Sequence, residues 1–334
     1  MTPRFHPRYL LAGLLLLLLA LMACATNLGA LSLSFDTLRQ LPFDDPLWHV
    51  WLNIRLPRVL LAVLVGGALA CSGAIMQGLF RNPLADPGLL GISSGAALCV
   101  ALTIVLPLGL PPLLSLYGPM LAAFVGSLAI TAVIFMLSRS EQGGLTRLLL
   151  AGIALNALCM AAIGVLTYIS NDQQLRQFSL WGMGSLGQAQ WPMLTVAATL
   201  VIPAIVATLY QTTRLNLLQL GDEEAHYLGV NVKRTKRVLL LLSSLLVGVS
   251  VAVSGVIGFI GLVIPHLIRM HLGADHRVLI PGSALGGACL LLIADTLART
   301  VLSPAEMPVG LLTSLIGGPY FLWLIIQHKG RGNE

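Results

Sequence analysis

The chain is a succession of apolar runs, each about as long as a bilayer is thick, and little else separates them. A membrane-crossing helix needs about 20 mostly apolar residues. Such runs occupy roughly residues 9–28, 58–79, 91–108, 113–137, 146–169, 191–211, 237–255, 257–272, 279–299 and 308–327. Only Ser254-Gly255 separates the seventh run from the eighth. Pro265 inside the eighth is tolerable in a bundle, where neighbours satisfy the freed carbonyl. Charged residues make up 10% of the 334 residues and hydrophobic types 57%, whereas a soluble domain carries about a quarter charged. A chain so poor in charge cannot cover a surface facing water. The expected fold class is therefore all-α, a polytopic membrane protein of about ten transmembrane helices. It is read as one transmembrane domain over residues 1–334.

The net charge of +6 raises the question of a nucleic-acid partner, but the basic residues form no patch. They sit singly or in small groups between apolar runs, the pattern that sets membrane topology. With the N-terminus in the cytoplasm, fourteen of the nineteen Lys and Arg fall on the cytoplasmic side, among them Arg4, Arg139, Lys233, Arg234 and Arg331. The other five, Arg39, Arg55, Arg58, Arg176 and Arg299, fall outside. An even span count also puts both termini in the cytoplasm. The five cysteines all lie in apolar runs without metal-ligand spacing, and no metal site is expected. Leu21-Met22-Ala23-Cys24 loosely resembles a lipoprotein processing site, but a long first run followed by many others reads as a first spanning helix. No GxxxxGK[ST] motif occurs, so the chain does not hold a nucleotide by that loop.

The segment GAIMQGLFRNPLADPGLLGISSG at 73–95 is the most informative. Pro83 and Pro87 end the second run, Asn82 and Asp86 can bond local backbone as in turns, and Gly88, Gly91 and Gly95 permit close approach. Small residues at every fourth position, Gly66, Ala70, Ala74 and Gly78, let another helix pack tightly. By composition this is a packing face followed by a tight cytoplasmic turn. Three further segments stand out: RLPR at 55–58, GDEEAHYLGV at 221–230, and GVIGFIGLVIPHLIR at 255–269. The last is followed by Gly273, Asp275-His276-Arg277, Asp295, Arg299 and Glu306-Met307-Pro308-Val309-Gly310.

Together, in this order and spacing, these segments resemble the permease family of ABC importers for iron-siderophores, haem and cobalamin. The likeness runs from about residue 50 to 325 and is nearest to the haem permeases of Gram-negative bacteria. It implies a BtuC-like type II importer fold in the bacterial inner membrane. It also implies a homodimer of permeases, two separate cytoplasmic ATPase subunits that use the ATP, a periplasmic binding protein, and haem as substrate. No catalytic residue and no permanently bound cofactor belong to such a subunit. The likeness places an ATPase-coupling segment at about 213–236, where Gly221 and Gly229 bracket Asp222, Glu223, Ala225 and Leu228. Ala225 and Leu228, three apart on one helical face, would be the buried contacts, and Asp222 and Glu223 suit a helix N-terminus. A solvated amphipathic connector is the other reading.

Arg55 and Arg58 precede a helix, where cations oppose its dipole, so some partner must compensate. The likeness makes them, with Arg299, docking residues for the binding protein, and headgroup anchoring is the alternative. Asp295, an intramembrane carboxylate, is a functional candidate by default, but Arg299 one turn later suggests a local ion pair. Gln77 is a pathway candidate, although for Gln77 and Asn156 interhelical hydrogen bonding is the simpler reading. His266 reads as part of a turn with Pro265 and Arg269 rather than as a haem ligand, and His49 lies outside. Arg176, followed by Phe178 and Trp181, would sit at the mouth of the pathway. Two copies of Arg176 across a two-fold axis would face the two haem propionates, and the aromatics would offer apolar surface. Lipid anchoring or binding-protein contact by Arg176 stands beside that reading. The competing classes are an ion-coupled secondary carrier, which usually needs carboxylates at the midplane, and a membrane enzyme, which needs a polar cluster at one depth.

Overall fold

The computed structural model describes residues 7–29, 35–106, 112–137, 144–301 and 305–329. Helix α1 spans Pro7–Asn27, and short α2 (Phe35–Gln40) and α3 (Pro46–Val50) follow. A π turn, Trp51–Arg55, leads into α4, Leu56–Leu79. A 3-10 turn, Pro87–Leu90, precedes α5 (Ile92–Val105), α6 (Pro112–Leu137), α7 (Gly144–Ile169) and the short α8 (Asp172–Gly182). The rest are α9 (Trp191–Leu218), α10 (Asp222–Tyr227), α11 (Val232–Ser254), α12 (Ile260–Leu272), α13 (His276–Thr300) and α14 (Val309–Lys329). Seven helices are long and apolar enough to cross a membrane, and three shorter apolar ones begin at Ile92, Ile260 and Val309. By length alone, then, seven spans rather than ten stand among the described residues. The short three fall where the third, eighth and tenth runs are expected. The two faces are named below by the Lys and Arg count, in which Arg4, Arg139 and Arg331 lie outside the described residues.

Helix α4 forms the centre. It is buried along most of its length and packs on α13, α11, α12 and α9. Its small residues are the reason. A Cβ at Gly66 would run into the carbonyl of Gly287 on α13, and one at Gly73 into the carbonyl of Gly261 on α12. Gly95 and Gly126 bring α5 and α6 together in the same way. Lipid supplies no hydrophobic drive between apolar helices, so backbone-to-backbone packing of small residues holds them.

The eighth run is not a full span. Ser254-Gly255 does end a helix, with Gly255 at φ 69°, but 255–259 then runs non-helically to Phe259, which sits at φ 68°. Only 13 residues of α12 remain, about 20 Å at 1.5 Å per residue. The break is tied down by its neighbours: Ser185 donates its N–H to the Ser254 carbonyl at 2.8 Å, and a Cβ at Gly310 would meet the Val256 carbonyl at 2.9 Å. Irregular backbone at this depth is tolerated because protein covers it. The turn after α4 forms as its residues suggest. Leu84 N–H donates to Asn82 Oδ1 at 2.9 Å, Gly88 N–H donates to Asp86 Oδ1 at 2.6 Å, and Gly91 adopts φ 76°.

Candidate functional site

On the periplasmic face three arginines converge. Arg58 Nε donates to both carboxylate oxygens of Asp295, at 3.0 and 3.2 Å, and Arg58 Nη1 donates to Glu306 at 2.9 and 3.1 Å. Arg299 stands one turn from Asp295, with its Nε 3.4 Å from the carboxylate. Arg299 Nη2 donates to the Ala25 carbonyl at 2.7 Å, and Arg55 Nη1 donates to the carbonyls of Thr26 and Asn27, each at 3.0 Å. Those three carbonyls end α1, where a helix dipole favours cations. The compensation that Arg55 and Arg58 need at the head of α4 is thus the tail of α1 together with Asp295.

This geometry corrects the docking expectation. Arg55, Arg58 and Arg299 are 6%, 7% and 6% exposed, so they form an internal staple of α1, α4 and α13 rather than a charged rim. Desolvated guanidinium groups must be paired, and each points at its partner inside the bundle. The exposed end of the cluster is acidic: the Glu306 side chain is half exposed, while Asp295 is wholly buried. The Asp295–Arg299 pair exists as expected, but Arg58 is the closer partner. Glu306 stands out in sequence, but its pairing with Arg58 does not, since the 248 residues between them leave no local pattern to read.

On the cytoplasmic face, α10 lies at the corner between α9 and α11. Gly221 (φ 143°) and Gly229 (φ 84°) bracket it at backbone angles that side chains rarely adopt. Asp222, Glu223 and Glu224 occupy its first turn. Asp222 is tied to Lys236 at the head of α11 and to Arg81 beyond the end of α4. Burial pushes this carboxylate up, but Lys236 and Arg81 outweigh it and hold Asp222 below the usual carboxylate range. Arg81 Nε also donates to the Leu218 carbonyl at 2.8 Å, and Gln219 Nε2 donates to the Gly78 carbonyl at 2.8 Å. Here too an expectation fails: Ala225 is fully buried within the chain itself and cannot be offered to another protein. Six residues make fewer than two turns, so the side of α10 bearing Ala225 rests on the bundle. Leu228 is 57% exposed, and beside it Tyr227 and Leu220 are exposed as well.

Helix α8 carries the remaining candidates. It starts with a reciprocal cap between Asn171 and Gln174, and Gln174 Nε2 donates to the Ile104 carbonyl at the end of α5. Phe178 and Trp181 stack at 6.4 Å and pack inward against Ala97, Ala101 and Ile163, whereas Arg176 is exposed. Two residues apart on a helix means nearly opposite sides, so Arg176 and the aromatics do not form one surface. Gln77 is fully buried and donates to the Leu262 carbonyl at 3.1 Å. It is an interhelical bond, not a lining residue. Asn156 is exposed on α7 rather than buried between helices. His266 lies within α12 and is buried, not in a turn, and His49 is exposed beside Asn53.

The chain matches the FecCD transport family over residues 12–327. It is 70% identical over 329 residues to the hemin transport system permease protein HmuU of Yersinia pestis, covering 98% of each chain. It is 44% identical over 283 residues to the vitamin B12 import system permease protein BtuC of Klebsiella pneumoniae, covering 85% of this chain and 84% of that one. A solved structure, an inward-facing conformation of a metal-chelate type ABC transporter, superposes with a TM-score of 0.86 at 37% identity, over 96% of this chain and 100% of that chain.

Proposed function

The chain belongs to the FecCD transport family, and from that premise we propose that it is the haem-translocating permease subunit of an ATP-binding-cassette importer in the bacterial inner membrane. One observation carries the choice of haem: identity is 70% to a hemin permease over nearly the whole of both chains, against 44% to a vitamin B12 permease. It is a transport subunit and not an enzyme. ATP is used by a separate ATPase, and a binding protein delivers the substrate from outside. Two copies of the chain, each one transmembrane domain, would enclose the pathway.

The cytoplasmic corner is the coupling element in this reading. An ATPase subunit would grip the exposed Tyr227 and Leu228. Its movement would pass through Asp222 to Arg81, and so to the turn that joins α4 and α5, and through Lys236 to α11. The buried Arg58–Asp295 staple would keep the periplasmic ends of α1, α4 and α13 in register while the other face moves. Arg176, exposed on α8, would meet a haem carboxylate in a bidentate fork or an acidic side chain of the binding protein. Phe178 and Trp181 would set the position of α8 rather than touch the substrate. The test is growth on haem as sole iron source in a bacterium lacking its own inner-membrane haem permease. Supplying this chain with its ATPase and binding protein should restore growth. Failure on haem together with rescue of cobalamin-dependent growth would reassign the substrate.

A further inference from the structure

Where the cytoplasmic ends of α6 and α11 meet, the structure forms an open-sided cavity of about 570 Å³ next to the coupling corner, and two of its lining residues, Lys233 and Arg234, belong to the 213–236 segment. Its mouth carries Lys233, Arg234 and Arg237 from the first two turns of α11, and its deeper wall carries Leu241, Leu242 and, from α6, Phe135. The Arg237 guanidinium lies 6.0 Å over the Phe135 ring, an arrangement that fixes a cation at the edge of an apolar surface. Leu241 follows Arg237 by one turn, about 6 Å deeper into the bilayer, and is still 48% exposed. On α6, Val133 and Met136 are exposed as well. The cavity is thus open along the side of the bundle.

Arg234 and Arg237, near the positive end of the α11 dipole, repel each other and the dipole. An anion between them removes both penalties. A basic mouth above an apolar wall fits a single molecule with a charged head and a hydrocarbon tail. We propose that this cavity binds an anionic phospholipid of the cytoplasmic leaflet, with its phosphate against Arg234 and Arg237, Lys233 at the rim, and an acyl chain along Leu241, Leu242 and Phe135. Basic pockets between helices on this side of a membrane hold anionic headgroups by the same forces. The bound lipid would join α6 to the head of α11, next to Lys236, which anchors Asp222. This assignment does not depend on which substrate is carried.

The test uses the full chain with its ATPase in nanodiscs of equal phosphatidylglycerol and phosphatidylcholine, with retained lipid counted by native mass spectrometry. The wild type should hold phosphatidylglycerol well above the bulk ratio. At roughly five-fold per cation near an anionic surface, R234Q/R237Q should weaken that preference about twenty-five-fold and return the ratio to bulk. Leu241→Asn, which keeps every charge, should also release lipid. R8Q/R277Q, which removes two cations elsewhere on the same face, should leave the enrichment intact. Thermal unfolding of each variant separates loss of lipid from loss of fold. The assignment is overturned by unchanged enrichment in R234Q/R237Q, by equal loss in R8Q/R277Q, or by release of the lipid with 20 mM inorganic phosphate, which would mark a plain anion site. Unchanged lipid with loss of the ATPase from R234Q/R237Q would overturn it too, in favour of a protein contact.

Discussion

Asp295→Asn isolates the buried staple. The substitution keeps the side chain's shape and removes one negative charge from a site with no solvent exposure. Arg58 then loses its two-oxygen partner at 3.0 and 3.2 Å, and Arg299 loses its ion-pair partner at 3.4 Å. Removing one member of a buried ion pair costs about 3–5 kcal/mol, because the remaining charge stays buried. Here Arg58 keeps Glu306 and Arg299 keeps the Ala25 carbonyl, which puts the expected loss at the low end, about 3 kcal/mol. At roughly 2 °C per kcal/mol for a chain of this size, the unfolding midpoint should fall by about 6 °C. Glu306→Gln, at the half-exposed end, should cost under about 1 kcal/mol. The double variant Arg58→Leu/Asp295→Leu should recover much of the loss, since apolar side chains of similar volume can replace a buried pair. Thermal unfolding in nanodiscs at neutral pH, read by size-exclusion of the surviving fraction, gives all three values. An Asp295→Asn midpoint equal to wild type, or a double variant no better than the single one, would refute the reasoning.

Three further outcomes are expected. Gly73→Ala places a methyl group against the Gly261 carbonyl with no flexible atom to yield; overpacking costs about 1–3 kcal/mol, so folded yield should drop, while Gly13→Ala, with open space around it, should leave yield unchanged. Leu228→Glu or Asp222→Asn should lower uptake per ATP hydrolysed without loss of folded protein, whereas Ala225→Leu should harm folding itself; a Leu228→Glu variant with normal stoichiometry would remove α10 from coupling. Arg176→Glu, at an exposed site, should lower haem uptake at limiting haem more than basal ATPase activity, and wild-type uptake there would exclude Arg176 from the pathway.

What was legible in the sequence follows from the range over which each signal acts. The Asp295–Arg299 pair and the turn at Asn82–Asp86 are local, and both form. The small residues of α4 announced a tight contact, but Gly287 and Gly261, their partners, lie some two hundred residues away in sequence. The same distance hid Arg58–Asp295, so arginines that read as a surface rim proved to be an internal joint. Ala225 and Leu228 share a helical face in principle. The helix ends at Tyr227, so Leu228 stands beyond it and is exposed while Ala225 is buried. The eighth run reads as a span because apolar residues fill it, and hydropathy does not register that the break marked by Gly255 runs on to Phe259 and leaves only Ile260–Leu272 helical. In membrane helices apolar side chains point in every direction, so periodicity says little about which side faces protein.

The central claim is tested most directly in proteoliposomes containing the chain and its ATPase, with ATP inside and binding protein outside. Haem accumulation should require ATP and the binding protein together, should stop in an ATPase variant unable to hydrolyse, and should exceed that of cyanocobalamin by at least about ten-fold. Haem accumulation driven by an ion gradient without ATP, or equal accumulation of cobalamin and haem, would contradict it.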